Sequence, residues 1–319
     1  MTFSFAGSQY SLSRPFPQAP ADEKTKAFNP SNDGLSFFEE GTNGKAIMLV
    51  HGMSGAPAEM RLVARQFSRR GYSVFAPLLA GHGRGEAALR RSRFEDWLDS
   101  IAIAADWLAT RSDTVFSAGI CVGGKLSLLA SHMQASPIKS VALYSPCFHY
   151  DGWNVPRYYA ILSPHIRWIR LIPFIDRLNF SEPPSLGIKD DRLRRIIAGM
   201  ENEGVLSHFP GRGLVEMNRL GHHLKKHLPA ITTPSLIIHS TEDDLSGPDH
   251  ARYIAAKLGG PRALHWLNDS YHMIHVDREH RKVADLSARF FETKHAFRNP
   301  IRDWRRGGPQ FPKPRIPDP

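Results

Sequence analysis

Cysteine is scarce in this 319-residue chain, with only Cys121 and Cys147. Two thiols make no disulfide framework, which excludes the small stapled secreted domains and points to a reducing compartment. Long hydrophobic runs are missing too. No apolar stretch approaches the roughly 20 residues of a membrane-spanning helix, so no integral membrane segment is expected. The first twenty residues carry one charged side chain, Arg14, and no apolar core. No signal peptide is therefore expected, and the chain reads as cytoplasmic. No recognisable nucleic-acid module accompanies the net charge of +10, so no nucleic-acid partner is expected. No metal or cofactor is expected either.

What is present suffices for a large core, at 41% hydrophobic and 23% charged residues. The charge is uneven. Residues 293–319 hold seven Lys/Arg against two Asp and so supply +5, while residues 1–30 supply +1. A basic surface suits anionic substrates, acidic carrier proteins or anionic headgroups. A solvated tail with no partner is the plain alternative.

Residues 1–34 are rich in Pro, Ser and Asn and read as a loosely ordered extension. From there short apolar runs alternate with amphipathic ones. Strands are predicted at 35–39, 46–50, 73–76, 114–116, 140–144, 234–239 and 263–267. Helices are predicted from Pro57 to Gly71, 94–108, 126–134, 248–258 and 279–295. Continuous apolar runs such as Ala46-Ile-Met-Leu-Val50 belong to strands buried on both faces. Alternation at this spacing predicts an α/β fold with a mostly parallel sheet covered by helices on both faces. Between Cys147 and Ala230 the pattern breaks. Trp153, Tyr158, Tyr159, Trp168 and Phe174 are interleaved with Arg157, Arg167 and Arg170. Helical pieces follow at 190–204 and 214–228. This reads as an inserted helical cap, with the core at 35–146 and 231–295, the cap at 147–230 and a basic Pro/Arg-rich tail at 296–319.

The most informative stretch is Ser117-Ala-Gly-Ile-Cys-Val-Gly-Gly-Lys-Leu126. A strand enters it and a helix leaves it. Gly119 and Gly123 flank Cys121 two residues to either side, leaving the backbone room for a sharp strand-to-helix corner. This is the grammar of a nucleophile elbow, which exposes one reactive side chain at the top of a sheet. Here that side chain is a thiol. The same residues spell Gly119-x4-Gly124-Lys125, close to a phosphate-binding loop, but Leu126 stands where that motif needs Ser or Thr for magnesium. A buried structural cysteine is the other alternative, since free Cys is among the most buried residue types.

Chain order supplies the partners. Glu242-Asp243-Asp244 follows the strand ending at His239, and His272 follows the last strand. The order nucleophile, acid, histidine is that of the α/β-hydrolase triad. His272 would act as base and acid, with His275 as competitor. Asp243 would orient it, with Asp244 and Glu242 as alternatives. The amides of Val122, after the nucleophile, and Met53, after the first buried strand, would form the oxyanion hole. His51 reads as structural.

Together, His51-Gly52-x-x-Gly55, Gly81-His82-Gly83, Gly119-x-Cys121-x-Gly123-Gly124, Asp243 and His272 resemble an α/β-hydrolase. The resemblance runs from about residue 45 to 292. It is greatest to the bacterial carboxylesterase and monoacylglycerol-lipase branch, which implies a cap between strands six and seven and a small acyl ester substrate. Two residues depart from that pattern. Cys121 stands where these esterases have Ser, as in dienelactone hydrolases and polyhydroxyalkanoate synthases. Tyr271 stands where the family usually has Gly.

A thiol nucleophile attacks as thiolate, so it needs a base, a positive neighbour or a helix N-terminus. Its acyl-enzyme is a thioester. Exchange from coenzyme A or carrier-protein thioesters would be nearly balanced in energy, and an acidic acyl carrier protein is a candidate partner. The sequence is thus read as an ester or thioester hydrolase acting through a Cys-His-Asp triad, or as an acyltransferase. The alternative of another class is a non-catalytic protein that binds a hydrophobic ligand. An engineered Ser-to-Cys replacement would give the same sequence.

Overall fold

The computed structural model describes residues 33–156, 178–181 and 186–293. A seven-stranded sheet runs through the centre. Its strands are β1 (Phe37–Glu39), β2 (Lys45–Val50), β3 (Ser73–Ala76), β4 (Thr114–Ile120), β5 (Ile138–Tyr144), β8 (Ser235–Ser240) and β9 (Arg262–Leu267), in the order β1-β3-β2-β4-β5-β8-β9. Two short strands outside it, β6 (Asn179–Ser181) and β7 (His208–Pro210), form a separate antiparallel pair. Only β1 runs antiparallel in the main sheet, against β3. The other pairings are parallel, in accord with apolar strands buried on both faces.

The helices are α1 (Arg61–Ser68), α2 (Glu86–Arg91), α3 (Phe94–Ala109), α4 (Val122–Ser131), α5 (Asp191–Ala198), α6 (Gly211–His227), α7 (Asp249–Lys257) and α8 (His280–Thr293). α3 begins where the Asp96 carboxylate accepts the Arg93 amide N–H at 2.8 Å, satisfying a backbone donor at the helix start. Its apolar stripe of Trp97, Ile101, Ala104, Ala105 and Leu108 is buried. α3 and α6 pack against α4, while α1 and α8 pack together. Phe291 of α8 stacks on Phe116 of β4 with ring centroids 4.6 Å apart.

Two boundaries at the centre differ from expectation. β4 continues to Ile120, because Ser117-Ala-Gly pairs with β2 on one side and β5 on the other. α4 begins at Val122 rather than Leu126, so both elbow glycines after the thiol are helical. The apolar packing there overrides glycine's poor helix propensity. β1 starts at Phe37, and helix α2 had not been expected.

Between β5 and β8 the chain leaves the sheet, with α5, β6, β7 and α6 as its described elements. The aromatic and arginine residues from 157 to 177 lie outside the described residues, as do residues 1–32 and 294–319. The described part is stitched to the loops at the carboxyl ends of the strands. Leu206 donates its amide to the Ser54 carbonyl (2.8 Å), Met273 to the Gly187 carbonyl (2.8 Å), and Asn154 to the Asp244 carbonyl (3.1 Å).

Candidate active site

Cys121 occupies the corner between β4 and α4 with φ +52° and ψ −107°. A non-glycine residue held there is strained, and such strain persists only where the surroundings over-determine it. They do. A Cβ on Gly119 would fall 2.4 Å from the Gly123 carbonyl carbon, and one on Gly123 would fall 2.3 Å from the Val50 carbonyl oxygen. The two glycines let α4 approach the sheet edge directly. The Cys121 amide donates to the Tyr144 carbonyl at 2.9 Å and anchors the corner to β5.

The loops after β8 and β9 bring Asp243 and His272 together. His272 Nδ1 lies 2.8 Å from Asp243 Oδ2 and 3.1 Å from Oδ1. Asp243 is fixed in turn by the amides of Leu245 (2.9 Å) and Ser246 (2.7 Å) and by the Ser246 hydroxyl (3.1 Å). With Nδ1–H donating to the carboxylate, Nε2 is left for the Cys121 thiol, which lies within hydrogen-bond reach. All three side chains are almost fully buried.

The alternatives take other places. His275 is fully buried, and neither of its ring nitrogens has a hydrogen-bond partner among the described residues. Glu242 turns outward and pairs with Lys189. Asp244 accepts the His272 backbone amide at 3.3 Å and does not reach the ring. His51 is a brace: its Nε2 accepts the Leu79 amide (3.2 Å) and its ring meets His82 edge-on at 5.0 Å. It ties the Gly52-Met53 loop to the loop after β3. Lys125 is fully buried and does not line the cleft, so it cannot serve as a phosphate-facing lysine.

Charge is arranged around the thiol. Neighbouring Cys147 lowers the Cys121 pKa most; burial opposes, and His272 and Lys125 lower it further. Burial raises Cys147, and the adjacent Cys121 sulfur raises it more. Burial disfavours the His272 cation, yet Asp243 and the Cys121 sulfur raise its pKa well above the usual value. Burial works against the Asp243 carboxylate, but the His272 cation holds its pKa down. The arrangement favours a thiolate–imidazolium pair.

Met53 lines the cleft beside Cys121, and Val122 supplies the first amide of α4. Neither amide has a hydrogen-bond partner among the described residues, and the helix N-terminus adds positive potential. Ile120, Tyr150, Leu186, Val205, Leu245 and Met273 form apolar walls, with the Glu59 carboxyl at one side. Glu59 accepts the Gly52 amide at 2.8 Å and so fixes the loop that carries Met53.

His149, Asp151 and His250 place three potential ligand atoms within 4.8 Å of one another. The Phe148 amide, however, donates to His250 Nδ1 (3.2 Å), so Nε2 carries the ring proton and donates to Asp151 (3.0 Å). That cluster is a hydrogen-bonded brace, not a vacant metal site.

Sequence reading missed Asp277 beside the site. Asp277, fully buried, accepts the amides of Lys189 (2.8 Å), Asp190 (3.0 Å) and Tyr271 (2.8 Å), locking the His272 loop to the cap segment. Tyr271 packs edge-on against Trp153 at 5.4 Å, which accounts for a large side chain before His272. Asp277→Ala would orphan three amides and is expected to cost roughly 2–4 kcal/mol, read as a lower urea midpoint.

Asp244 gives a pH test. Burial, and then neighbouring Asp243, raise its pKa from 3.8 to about 6. The folded state therefore holds this proton more tightly than the unfolded chain. The stabilisation is complete below 3.8 and is lost as pH rises through about 6. Asp244→Asn is expected to gain roughly 1–3 kcal/mol over wild type at about pH 7.5 and nothing at about pH 4, measured by denaturation at both.

The parallel sheet, strained elbow, and acid and histidine on the loops after β8 and β9 define an α/β-hydrolase. The chain belongs to the Hydrolase_4 family, described as serine aminopeptidase, S33, whose sequence model matches residues 41–279. It is 28% identical over 259 residues to the thermostable monoacylglycerol lipase of Bacillus sp. (strain H-257), covering 78% of this chain and 91% of that one. It is 22% identical to a carboxylesterase of Bacillus subtilis (strain 168), covering 78% and 92%. Among solved structures, a soluble variant of the Saccharomyces cerevisiae monoglyceride lipase aligns with a TM-score of 0.68 at 15% identity, covering 81% and 90% of the two chains. A structure reported for LipS and LipT, two metagenome-derived lipolytic enzymes, aligns with a TM-score of 0.66 at 24% identity, covering 82% and 97%. At these identities the structural likeness speaks for the fold.

Proposed function

We propose that the protein is an acyl-cleaving enzyme whose nucleophile is Cys121, working on a small acyl ester or thioester. The observation that carries this reading is His272 held between the Asp243 carboxylate and the Cys121 sulfur. The family membership and the lipase and esterase relatives support ester substrates.

In this reading the Cys121 thiolate attacks the acyl carbonyl carbon, and the amides of Met53 and Val122 receive the developing oxyanion. The tetrahedral intermediate collapses. The leaving alkoxide or thiolate takes the His272 proton, and an acyl-Cys121 thioester remains. Water then gives its proton to His272 as it attacks the thioester, and the Cys121 thiolate departs. Asp243 holds the imidazole tautomer throughout. The core at 35–146 and 231–295 supplies the catalytic groups, and the cap at 147–230 supplies one wall of the cleft.

Acyl transfer to an alcohol or amine is the second reading. Cys121 is only 4% exposed and apolar side chains surround it, so a bound acceptor can compete with water. An acidic acyl carrier protein would suit the net charge of +10 as donor.

Product analysis with acyl-coenzyme A thioesters and p-nitrophenyl esters, with and without added alcohols and amines, tests this. Free acid as the product supports hydrolysis, and acyl-acceptor products support transfer. Binding of an acyl chain with no turnover of any substrate would contradict both and leave a ligand-binding protein.

A further inference from the structure

Lys125 stands one helical turn beyond Cys121 on α4 and is fully buried. Its ammonium has no hydrogen-bond partner among the described residues. A buried cation without an acceptor is costly unless an opposite charge lies near it.

The groups that face Lys125 come from three elements. Cys121 heads its own helix. Cys147 and Phe148 come from the loop after β5, the Phe148 ring centroid lying 6.0 Å from the ammonium. Lys225 reaches down from α6 and sits over the same ring at 4.4 Å. Lys225 has the same sign. The Cys147 thiol keeps its proton, donating to the His149 carbonyl at 3.1 Å. Cys121 is left as the group that can carry the compensating negative charge. From its other side Cys121 faces His272, backed by Asp243, with His239 and Asp244 behind.

We propose that Lys125 is the buried counter-cation of a resting Cys121 thiolate, a positioning residue that keeps the nucleophile charged from behind without touching substrate. This rests on the reading of Cys121 as nucleophile. It also ties the lysine to the choice of thiol. A serine hydroxyl stays neutral near pH 7 and would leave the ammonium uncompensated. Burial lowers the Lys125 pKa overall, while Cys121 first and then Cys147 oppose that lowering.

The test is the pH dependence of Cys121 alkylation by iodoacetamide, followed by intact-protein mass, with Cys121→Ala identifying the modified thiol. Wild type is expected to inflect well below the value near 8.5 of a free cysteine, and Lys125→Met about one pH unit or more higher. Methionine matches the lysine stem in length and suits its apolar surroundings, and circular dichroism reports whether Lys125→Met stays folded. An unchanged inflection in folded Lys125→Met overturns the proposal. If that variant fails to fold, Cys121→Ser gives a second reading. It should melt below wild type at neutral pH, with the deficit shrinking at alkaline pH as Lys125 loses its proton. Equal melting across pH overturns the proposal. Full turnover by Cys121→Ala would instead overturn the nucleophile reading, and this inference with it.

Discussion

Cys121→Ala is expected to lower kcat/KM on any acyl substrate by about a thousandfold or more, as when the nucleophile of a triad is removed. The fold should survive. The thiol is small, and alanine at φ +52° bears no more strain than cysteine does. Binding should survive too, because the walls of the cleft come from Met53, Tyr150, Leu186 and other side chains that do not change. The signature is therefore lost turnover in a variant that still folds, measured by steady-state kinetics beside circular dichroism. A variant that keeps even a tenth of wild-type turnover would assign the chemistry elsewhere.

Gly123→Ala is expected to have the largest effect on stability. The added methyl would lie 2.3 Å from the Val50 carbonyl oxygen and 2.6 Å from that of His51. Both are backbone atoms at the end of β2, a strand hydrogen-bonded to β3 on one side and β4 on the other. Neither the strand nor α4, already packed onto the sheet, can move without breaking those ladders. A cost of several kcal/mol takes most of the roughly 5–15 kcal/mol that holds a domain folded. Soluble expression should fall sharply, and any soluble fraction should unfold at much lower urea. Wild-type stability in this variant would mean that the elbow is looser than its geometry implies.

The fold was legible where local chemistry and tertiary demand agree. Ala46–Val50 and Leu236–Ile238 read as buried strands because they are buried on both faces. The residues at Cys121, Asp243 and His272 were legible because strand-to-loop transitions place them, and each transition left a composition signal. Choosing Asp243 among three consecutive acids needed the turn geometry, in which Ser246 and Leu245 donate to it and Glu242 points outward. The start of α4 was misplaced because Val122-Gly-Gly-Lys125 lacks helix formers, and the constraint that makes it helical comes from a neighbouring strand. Helix α2 has six residues, too few for a periodicity to register. Asp277 carried no signal, and Lys125 registered only in the phosphate-loop reading. Their roles depend on partners as distant in sequence as Lys189 and Cys147.

The central claim is that Cys121 forms a covalent acyl-enzyme. Intact-protein mass after rapid mixing with an acyl-coenzyme A thioester or a p-nitrophenyl ester tests it most directly, with peptide mapping to place the added mass. The account predicts an increment equal to one acyl group on Cys121, removed by hydroxylamine and absent from Cys121→Ala. Turnover at wild-type rate by Cys121→Ala, or an acyl group mapped to any residue other than Cys121, would contradict it.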